Sequence, residues 1–321
     1  NQKLSMVQKP RFLDAVNHNV LLFDGAMGTE IQKFDPKPED FPDGKDGFND
    51  GLILTRPDWI KKIHRSYLDA GADCIETNSF GSNKLKLDEY GYGDRTIEIN
   101  RMIADLAVNV TSEYSDKPRY VIGSMGPTGF LPSSNDPDLG QISLERIKEA
   151  YSLQAEGLIL GGVDALLIET SQDILEVKMA IEGAHDAMNR TKKVPLIANV
   201  TLDQYGKMLL GTNVQAAYTT VADMGIDVFG LNCSTGPIEM VPSIKWLDEQ
   251  KDLSLLVVPN AGMPENEGGH AVYKMTPEKM SEALRDIISK HKQVRIIGGC
   301  CGTNPSHIAA LRKVLDSQSQ S

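Results

Sequence analysis

The sequence predicts an α/β protein with the (β/α)8 barrel (TIM barrel) fold in a single domain, from three observations. Short apolar runs rich in β-branched residues alternate with longer segments of helical periodicity, which is the pattern of parallel βα units. There are eight such runs among the 321 residues. Two motifs, residues 70–77 and 161–170, also repeat the same order of helix end, turn, strand and terminal Glu-Thr. Eight repeated βα units close into a barrel more simply than they form an open sheet.

In chain order, the predicted strands are residues 20–23, 74–77, 120–124, 165–169, 196–200, 228–231, 255–258 and 294–297. The segments between them have room for the helix that a right-handed parallel crossover requires. A doubly wound sheet that binds a nucleotide is the alternative. No strand, however, is followed by Gly-x-Gly-x-x-Gly or by Gly-x-x-x-x-Gly-Lys-Ser/Thr, so the barrel is favoured.

Helix start signals and composition set the predicted boundaries. The motif from Thr55 to Asp58 resembles a capping box, and the segments at Thr276 and Thr303 place a proline in the first turn of two further helices. The predicted organisation is an N-terminal extension over 1–12, the barrel over 13–315 and a C-terminal tail over 316–321. Residues 34–51, rich in Pro, Asp and Gly, are either a long loop on the active face or a disordered surface insertion.

Charge and hydropathy exclude two classes of partner. With 33 Lys and Arg against 44 Asp and Glu, the net charge is −11, which disfavours binding to nucleic acid or to an anionic membrane surface. No apolar run approaches the roughly 18 residues of a membrane span, and the chain does not open like a signal peptide. We therefore expect a cytoplasmic protein that binds neither nucleic acid nor membrane.

Three of the four cysteines follow predicted strands. Cys233 ends the sixth strand, and Cys300 and Cys301 end the eighth, so closure of a barrel can bring their sulfurs together. Three soft thiolates favour zinc, and they leave a fourth tetrahedral position for water or substrate. The cysteines therefore predict a catalytic zinc site. Cys74 lies inside a strand and is predicted to be a core residue.

Cys300 and Cys301 are adjacent, so the backbone conformation decides whether both can bind the same ion. Cys300 and Cys301 would point to opposite sides of an extended strand, so both can bind one ion only if the chain curls there. The flanking Gly298, Gly299 and Gly302 permit such backbone angles. The alternatives are buried core cysteines or a strained Cys300–Cys301 disulfide, as in a non-catalytic thiol sensor.

Carboxylates also gather at the predicted strand ends. Asp24, Glu76 and Glu169 follow the first, second and fourth strands, where they could hold an ammonium group or a hard cation. A magnesium-dependent barrel lyase or aldolase is therefore an alternative, and so is capping of the following helices. The six histidines are predicted to have surface or capping roles rather than catalytic ones.

Five motifs carry a family resemblance. They are Val20-Leu-Leu-Phe-Asp-Gly-Ala-Met-Gly-Thr29, Ala70-Gly-Ala-Asp-Cys-Ile-Glu-Thr-Asn78, Leu167-Ile-Glu-Thr170, Gly230-Leu-Asn-Cys233 and Gly298-Gly-Cys-Cys-Gly302. Together they resemble the zinc-dependent homocysteine S-methyltransferases, over about residues 10–315. Within that family, residues 126–129 and 259–262 are most similar to the homocysteine-binding module of cobalamin-dependent methionine synthase. The branches that use betaine or S-methylmethionine tend to differ at these two motifs.

The resemblance implies a zinc ion held by Cys233, Cys300 and Cys301, with the homocysteine sulfur as the fourth ligand. It also implies that Asn260 can occupy the fourth zinc position before substrate arrives. The expected reaction is methyl transfer to homocysteine, giving methionine. The expected donor is methylcobalamin, presented by a corrinoid-binding domain or protein. Betaine and S-methylmethionine remain alternative donors.

The resemblance also implies a set of substrate-binding residues. Asp24 and Glu169 are expected to receive the ammonium group of homocysteine. The backbone amides of Gly25 and Ala26 are expected near its carboxylate, and Asn232 is expected to line the same pocket.

Overall fold

A computed structural model describes residues 8–319. Most of the predicted N-terminal extension and the last two residues of the predicted tail lie outside the described residues. The strands are β1 (Leu21–Leu22), β2 (Cys74–Glu76), β3 (Tyr120–Met125), β4 (Ala165–Ser171), β5 (Leu196–Val200), β6 (Val228–Asn232), β7 (Ser254–Val258), β8 (Glu265–Glu267), β9 (His270–Val272) and β10 (Val294–Ile297). Each of the eight predicted runs overlaps one strand. The pair β8–β9 was not predicted.

Eight of these strands form a parallel barrel. Their order in the sheet is β1-β10-β7-β6-β5-β4-β3-β2, and every pair within it is parallel. The two end strands meet through a parallel bridge between Phe23 and Cys74. The predicted (β/α)8 barrel is therefore confirmed. The strands β8 and β9 form a separate antiparallel hairpin between β7 and the next helix.

Helices occupy the crossovers and surround the sheet. They are α1 (Phe12–His18), α2 (Gly28–Gln32), α3 (Leu52–Thr55), α4 (Pro57–Asp69), α5 (Lys84–Asp88), α6 (Thr96–Thr111), α7 (Leu144–Leu160), α8 (Ile174–Arg190), α9 (Val214–Val221), α10 (Pro237–Gln250), α11 (Pro277–Lys290) and α12 (Pro305–Gln318). The last helix continues three residues beyond the predicted barrel boundary at 315. Within the part of the chain that the structure describes, no helix has the length and hydropathy of a membrane span.

Two apolar layers hold the barrel together. One lies between the strands and the helices, and the other fills the barrel interior with residues from alternate strand positions. Cys74 is fully buried in the interior layer, as predicted for a core residue. Helix α1 covers the N-terminal end of the barrel, where Phe12 meets the ring of Tyr120 edge-on at 5.6 Å between centroids.

The helix starts agree with the sequence in part. Thr276 caps α11 by accepting a hydrogen bond from the Lys279 amide at 3.3 Å, as predicted. The predicted cap at Thr55 is wrong, because Thr55 is the last residue of α3 and no side chain caps α4. Pro57 disfavours helical angles in the residue before it, so the chain breaks at Arg56, where φ is −138° and ψ is 55°.

Residues 34–51 are ordered, so the alternative of a disordered insertion is wrong. They form three short 3-10 turns, Pro38–Asp40, Pro42–Gly44 and Asn49–Gly51, that lead into α3. Phe48 anchors this loop: it is buried and stacks on Tyr90 with the ring centroids 4.2 Å apart. The loop thereby reaches the C-terminal face of the barrel, where active sites of this fold lie.

Candidate metal centre and substrate cavity

Three sulfur atoms meet at the C-terminal end of the barrel. The Sγ atoms of Cys233, Cys300 and Cys301 lie within 4.8 Å of one another, and those of Cys233 and Cys301 are 3.8 Å apart. A tetrahedral zinc ion with Zn–S bonds of about 2.3 Å would place two sulfurs about 3.8 Å apart. All three cysteines are free, as is Cys74. The donor atoms and their spacing therefore fit zinc, and the structure contains no Cys300–Cys301 disulfide.

Unusual backbone angles make this convergence possible. Cys233 and Ser234 have positive φ values of 61° and 65°, which are uncommon for residues other than glycine. After Cys301 the chain turns through Gly302, at φ 80°. Of the three glycines predicted to supply such angles, only Gly302 has a positive φ. Gly298 and Gly299 are needed for space instead, because a Cβ atom would lie 2.8 Å from the Cβ of Phe23 and 2.5 Å from Thr303, respectively.

Hydrogen bonds from the β7 end fix the backbone of Cys301. Its N–H donates to Oδ1 of Asn260 at 3.1 Å, and its carbonyl accepts from the Ala261 amide at 2.9 Å. Asn260 is buried and does not line the cavity described below. The structure thus places Asn260 beside a candidate zinc ligand, whereas its contact with zinc itself stays a prediction.

The three sulfurs share their protons unequally. Hydrogen bonds from Cys233 and Cys300 lower the pKa of Cys301 to about 3. Contacts with Cys233 and Cys301 raise the pKa of Cys300 well above its ordinary value. Binding of a divalent cation would expel the remaining protons.

Three carboxyl groups lie together beside the cysteines. The side chains of Asp24, Glu76 and Glu169 line one cavity and lie close enough to interact electrostatically. Oδ2 of Asp24 accepts from the Glu76 amide at 3.1 Å, whereas its Oδ1 is buried without a hydrogen-bond partner. Oε1 of Glu169 accepts from the hydroxyl of Ser124 at 2.5 Å. None of the three caps the helix that follows it, because α2 has no side-chain cap and the caps of α5 and α8 are Asn83 and Asp173, so the capping interpretation is wrong.

These carboxyl groups lack a basic partner. Burial raises the pKa of Asp24, Glu76 and Glu169, and mutual repulsion raises those of Asp24 and Glu76 further. Within residues 8–319, no Lys, Arg or His lines the cavity that they share. Two buried acids and one partly buried acid, with an unpaired oxygen and no counter-charge, form a site suited to a cationic ligand.

One cavity connects the cysteines to the carboxyl groups. Its volume is about 550 Å³, and it is lined by the three cysteines, the three carboxyl groups and residues 25–29. Phe80, 44% exposed, lines it together with Asn49 and Asp50 of the loop 34–51. A larger cavity of about 700 Å³ lies at the opposite end of the barrel. The charged groups of that cavity include Lys117 and Arg312, which are already paired with Asp73, so the chemistry belongs to the smaller cavity.

Comparison with known sequences identifies the family. A sequence model of the homocysteine S-methyltransferases matches residues 21–315. The chain belongs to the homocysteine S-methyltransferase family. This confirms the resemblance carried by the strand-end motifs, and it confirms a methyltransferase at the level of the family.

Two relatives and two solved structures extend the comparison. Over 299 residues, or 92% of this chain, it is 41% identical to methionine synthase of Mycobacterium tuberculosis (strain ATCC 25618 / H37Rv) and 39% identical to that of Mycobacterium leprae (strain TN). It spans 24% of the length of each. The oxidised form of the homocysteine methyltransferase MmuM from Escherichia coli matches with a TM-score of 0.73 at 21% identity, covering 97% of this chain and 98% of that one. Its metallated form gives 0.72 at 21% identity, covering 94% and 97%. These structures support the fold.

The candidate site is also supported by residues that sequence reasoning missed. Thr303 joins two parts of the cavity wall, since its hydroxyl donates to the Cys300 carbonyl at 2.6 Å and accepts from the Ala26 amide at 3.2 Å. The hydroxyl of Tyr67 donates to the Ala26 carbonyl at 2.5 Å. Gly25 lies between them, and a Cβ atom there would lie 2.8 Å from Thr303 and 2.9 Å from Tyr67. Gly25 and Ala26 line the cavity as expected, but the Ala26 amide already has a partner.

Asn232 is placed differently from the expectation. It is buried at the end of β6 and does not line the cavity. Its side chain is hydrogen-bonded to Thr170, which does line the cavity. Asn232 therefore supports the wall of the site, and direct contact with substrate stays a prediction.

The histidines lie outside the cavity. His307 is part of the capping box of α12, in agreement with a capping role. His64 departs from the expectation of a surface or cap role, because it is completely buried in α4 and neither ring nitrogen has a hydrogen-bond partner. Burial lowers its pKa to about 4, so the ring is neutral and packs as a core residue.

Proposed function

We propose that this chain transfers a methyl group to the sulfur of L-homocysteine, giving methionine, with zinc held by Cys233, Cys300 and Cys301. The observation that carries the proposal is one cavity with two different ends. One end offers three sulfurs within 4.8 Å of one another, and the other offers three carboxyl groups without a basic partner. Homocysteine matches both ends, because it has a thiol at one end and an ammonium group at the other.

The thiol end explains why a metal is needed. A free thiol has a pKa of about 8.5, so only a few per cent is the nucleophilic thiolate at neutral pH. Bound zinc would hold the homocysteine sulfur as a thiolate, ready to attack a methyl carbon. The three cysteines supply negative charge that keeps this sulfur electron-rich. A methyl group transferred to a thiolate needs no general base, in agreement with a cavity that no described histidine lines.

The carboxyl end orients the substrate. We assign the ammonium group to Asp24 and Glu169, supported by the unpaired Oδ1 of Asp24 and by the hydrogen bond with which Ser124 positions Glu169. Glu76 lines the cavity beside them. The substrate carboxylate is assigned to the amides of Gly25 and Ala26, which line the same cavity. The Ala26 amide would then share its proton with Thr303.

The proposed donor is methylcobalamin carried by a corrinoid-binding domain or protein. Two observations support it: the relatives are methionine synthases, and this chain spans 24% of their length. The rim of the barrel also exposes large apolar side chains after β5 and β6, namely Tyr205, Leu209 and Ile238. A cytoplasmic location stays a prediction.

The test measures metal content and donor use on the same preparation. We expect one zinc per chain in the wild type, none in Cys301→Ser and one in the matched control Cys74→Ser, whose sulfur is in the barrel interior. Homocysteine is then offered with methylcobalamin, betaine or S-methylmethionine, and methionine is measured. Turnover with methylcobalamin supports the proposal. Homocysteine binding without zinc contradicts the zinc assignment. Turnover only with betaine or S-methylmethionine contradicts the donor assignment.

A further inference from the structure

Phe80 is the apolar side chain at the mouth of the substrate cavity. Most of the residues that line the cavity are buried or half-buried. Within residues 8–319, the lining residues that are exposed, and that therefore mark the mouth, are Gly28, Thr29, Gln32 and Phe80. The first three belong to α2, whereas Phe80 lies in the loop after β2. Glycine has no side chain and the threonine and glutamine are polar, so Phe80 supplies the apolar surface of the mouth.

Hydrogen bonds to the β3 end and to α7 fix the backbone around Phe80. The Phe80 carbonyl accepts from the Gly126 amide at 3.0 Å. The Ser79 carbonyl accepts from Nε2 of Gln154 at 2.7 Å, and the Ser79 hydroxyl donates to the Ser124 carbonyl at 2.7 Å. Ser79, Gln154 and Ser124 are buried, so water does not compete for these bonds. The backbone at Phe80 is therefore held in place, although its side chain reaches the surface.

The ring of Phe80 packs on Gly126. A Cβ atom at Gly126 would lie 2.8 Å from Cδ2 and 2.9 Å from Cε2 of Phe80, and 2.5 Å from its carbonyl oxygen. A larger residue at 126 would therefore displace the ring or the backbone that carries it. Gly126 is itself anchored, because its carbonyl accepts from the hydroxyl of Tyr151 at 2.9 Å. One edge of the ring is thus covered by Gly126, and Phe80 still remains 44% exposed.

The two reactants of the proposed reaction meet different parts of the cavity. The groups assigned to homocysteine lie inside it: Asp24 and Glu169 are buried, and the three cysteines are half-buried. The methyl donor has to reach the homocysteine sulfur from solvent, so it passes the mouth. An exposed aromatic ring in a fixed position gains free energy when an apolar partner covers it, and it loses little conformational freedom in doing so.

We propose that Phe80 is a specificity-determining residue that contacts the methyl donor at the mouth of the cavity. This inference rests on the proposed function. The corrin ring of methylcobalamin is large and carries methyl groups at its edge, so it can cover the Phe80 side chain while its methyl carbon approaches the sulfur. Betaine and S-methylmethionine are small enough to pass without covering it. Phe80 therefore favours the large donor through apolar contact.

The test measures donor use and homocysteine binding separately in the full chain. Phe80→Ala removes the ring, and we expect it to raise KM for methylcobalamin at least about fivefold, the scale of losing part of an apolar contact. The homocysteine Kd from calorimetry should stay within about twofold of the wild type, with one zinc per chain. Phe80→Leu keeps an apolar side chain and should restore most of the affinity for methylcobalamin.

The matched control is Leu160→Ala, which removes an equally exposed apolar side chain at the end of α7, outside the cavity. It should leave both measurements unchanged. An unchanged KM in Phe80→Ala overturns the donor contact, and so does a loss of homocysteine affinity as large as the rise in KM. A rise in Phe80→Leu equal to that in Phe80→Ala overturns the apolar contact. If the wild type does not turn over methylcobalamin, the donor assignment itself fails and this inference fails with it, which separates the two failures.

Discussion

Asn232 and Thr170 exchange two hydrogen bonds across the mouth of the barrel. Oδ1 of Asn232 accepts from the Thr170 amide at 3.0 Å, and Nδ2 of Asn232 donates to the Thr170 hydroxyl at 2.8 Å. Asn232 directly precedes Cys233, and Thr170 directly follows Glu169. The pair therefore links a candidate metal ligand to a candidate ammonium ligand. Both Thr170 and Cys233 have positive φ values, 59° and 61°, and such strain persists only where the surroundings impose it.

Asn232→Ala should consequently loosen both ends of the site. It leaves the partly buried Thr170 amide without its partner, which costs about 1 kcal/mol of stability. We expect urea unfolding to show this loss in the free energy of unfolding. We also expect calorimetry to show weaker homocysteine binding, with zinc content unchanged. Asn109→Ala, at an exposed position of α6, serves as the control. If homocysteine affinity in Asn232→Ala equals that of the wild type, the proposed link between the two ends is wrong.

Glu169→Gln should separate substrate binding from metal binding. The variant keeps the shape of the side chain but removes one negative charge from the proposed ammonium site. We expect homocysteine affinity to fall at least about tenfold, as for loss of a charged hydrogen bond, while zinc stays at one per chain. Calorimetric titration and metal analysis measure the two quantities, with Glu182→Gln, exposed on α8, as the control. Unchanged affinity would refute the assignment of Glu169.

Glu176 should make the stability of the protein depend on pH. Its Oε2 accepts from the hydroxyl of Thr128 at 2.5 Å, which anchors residues 126–129, and burial raises its pKa from 4.5 to about 7. A carboxyl group that binds its proton more tightly in the folded state stabilises that state most at low pH. This contribution is complete below pH 4.5 and is lost as the pH rises through 7.

Glu176→Gln removes this dependence because an amide does not titrate. The stability of the wild type relative to the variant should fall by about 3 kcal/mol between pH 4.5 and 7. Urea unfolding at several pH values across this range measures the difference. Parallel stability curves for the two proteins would show that Glu176 keeps its ordinary pKa in the folded state.

The sequence predicted the fold well because the evidence for it is local. Each barrel strand is a short β-branched run, and periodicity within a few residues reveals it. The β8–β9 hairpin escaped prediction because Glu265–Glu267 and His270–Val272 are short and largely exposed, so no apolar alternation marks them. The cap at Thr55 was predicted wrongly because the motif fits a capping box, whereas Pro57 acts on the residue just before it.

The site could be predicted only where its residues follow strands. Cys233, Cys300, Cys301 and the three carboxyl groups do so, and barrel closure brings them together. Tyr67 had no such signal, because on the sequence it is one more apolar position of α4. Its contact with Ala26 joins residues 41 positions apart and depends on how the helix packs against the barrel. Contacts of that kind follow from tertiary packing and leave no local pattern.

The central claim is that three cysteine sulfurs bind one zinc ion and leave one position for the homocysteine sulfur. X-ray absorption at the zinc edge, recorded with and without homocysteine, tests this claim most directly because it counts sulfur neighbours of the metal. The account predicts three sulfurs without homocysteine and four with it, at about 2.3 Å. A sulfur count that does not rise when homocysteine is bound, or zinc surrounded by oxygen and nitrogen alone, would contradict it.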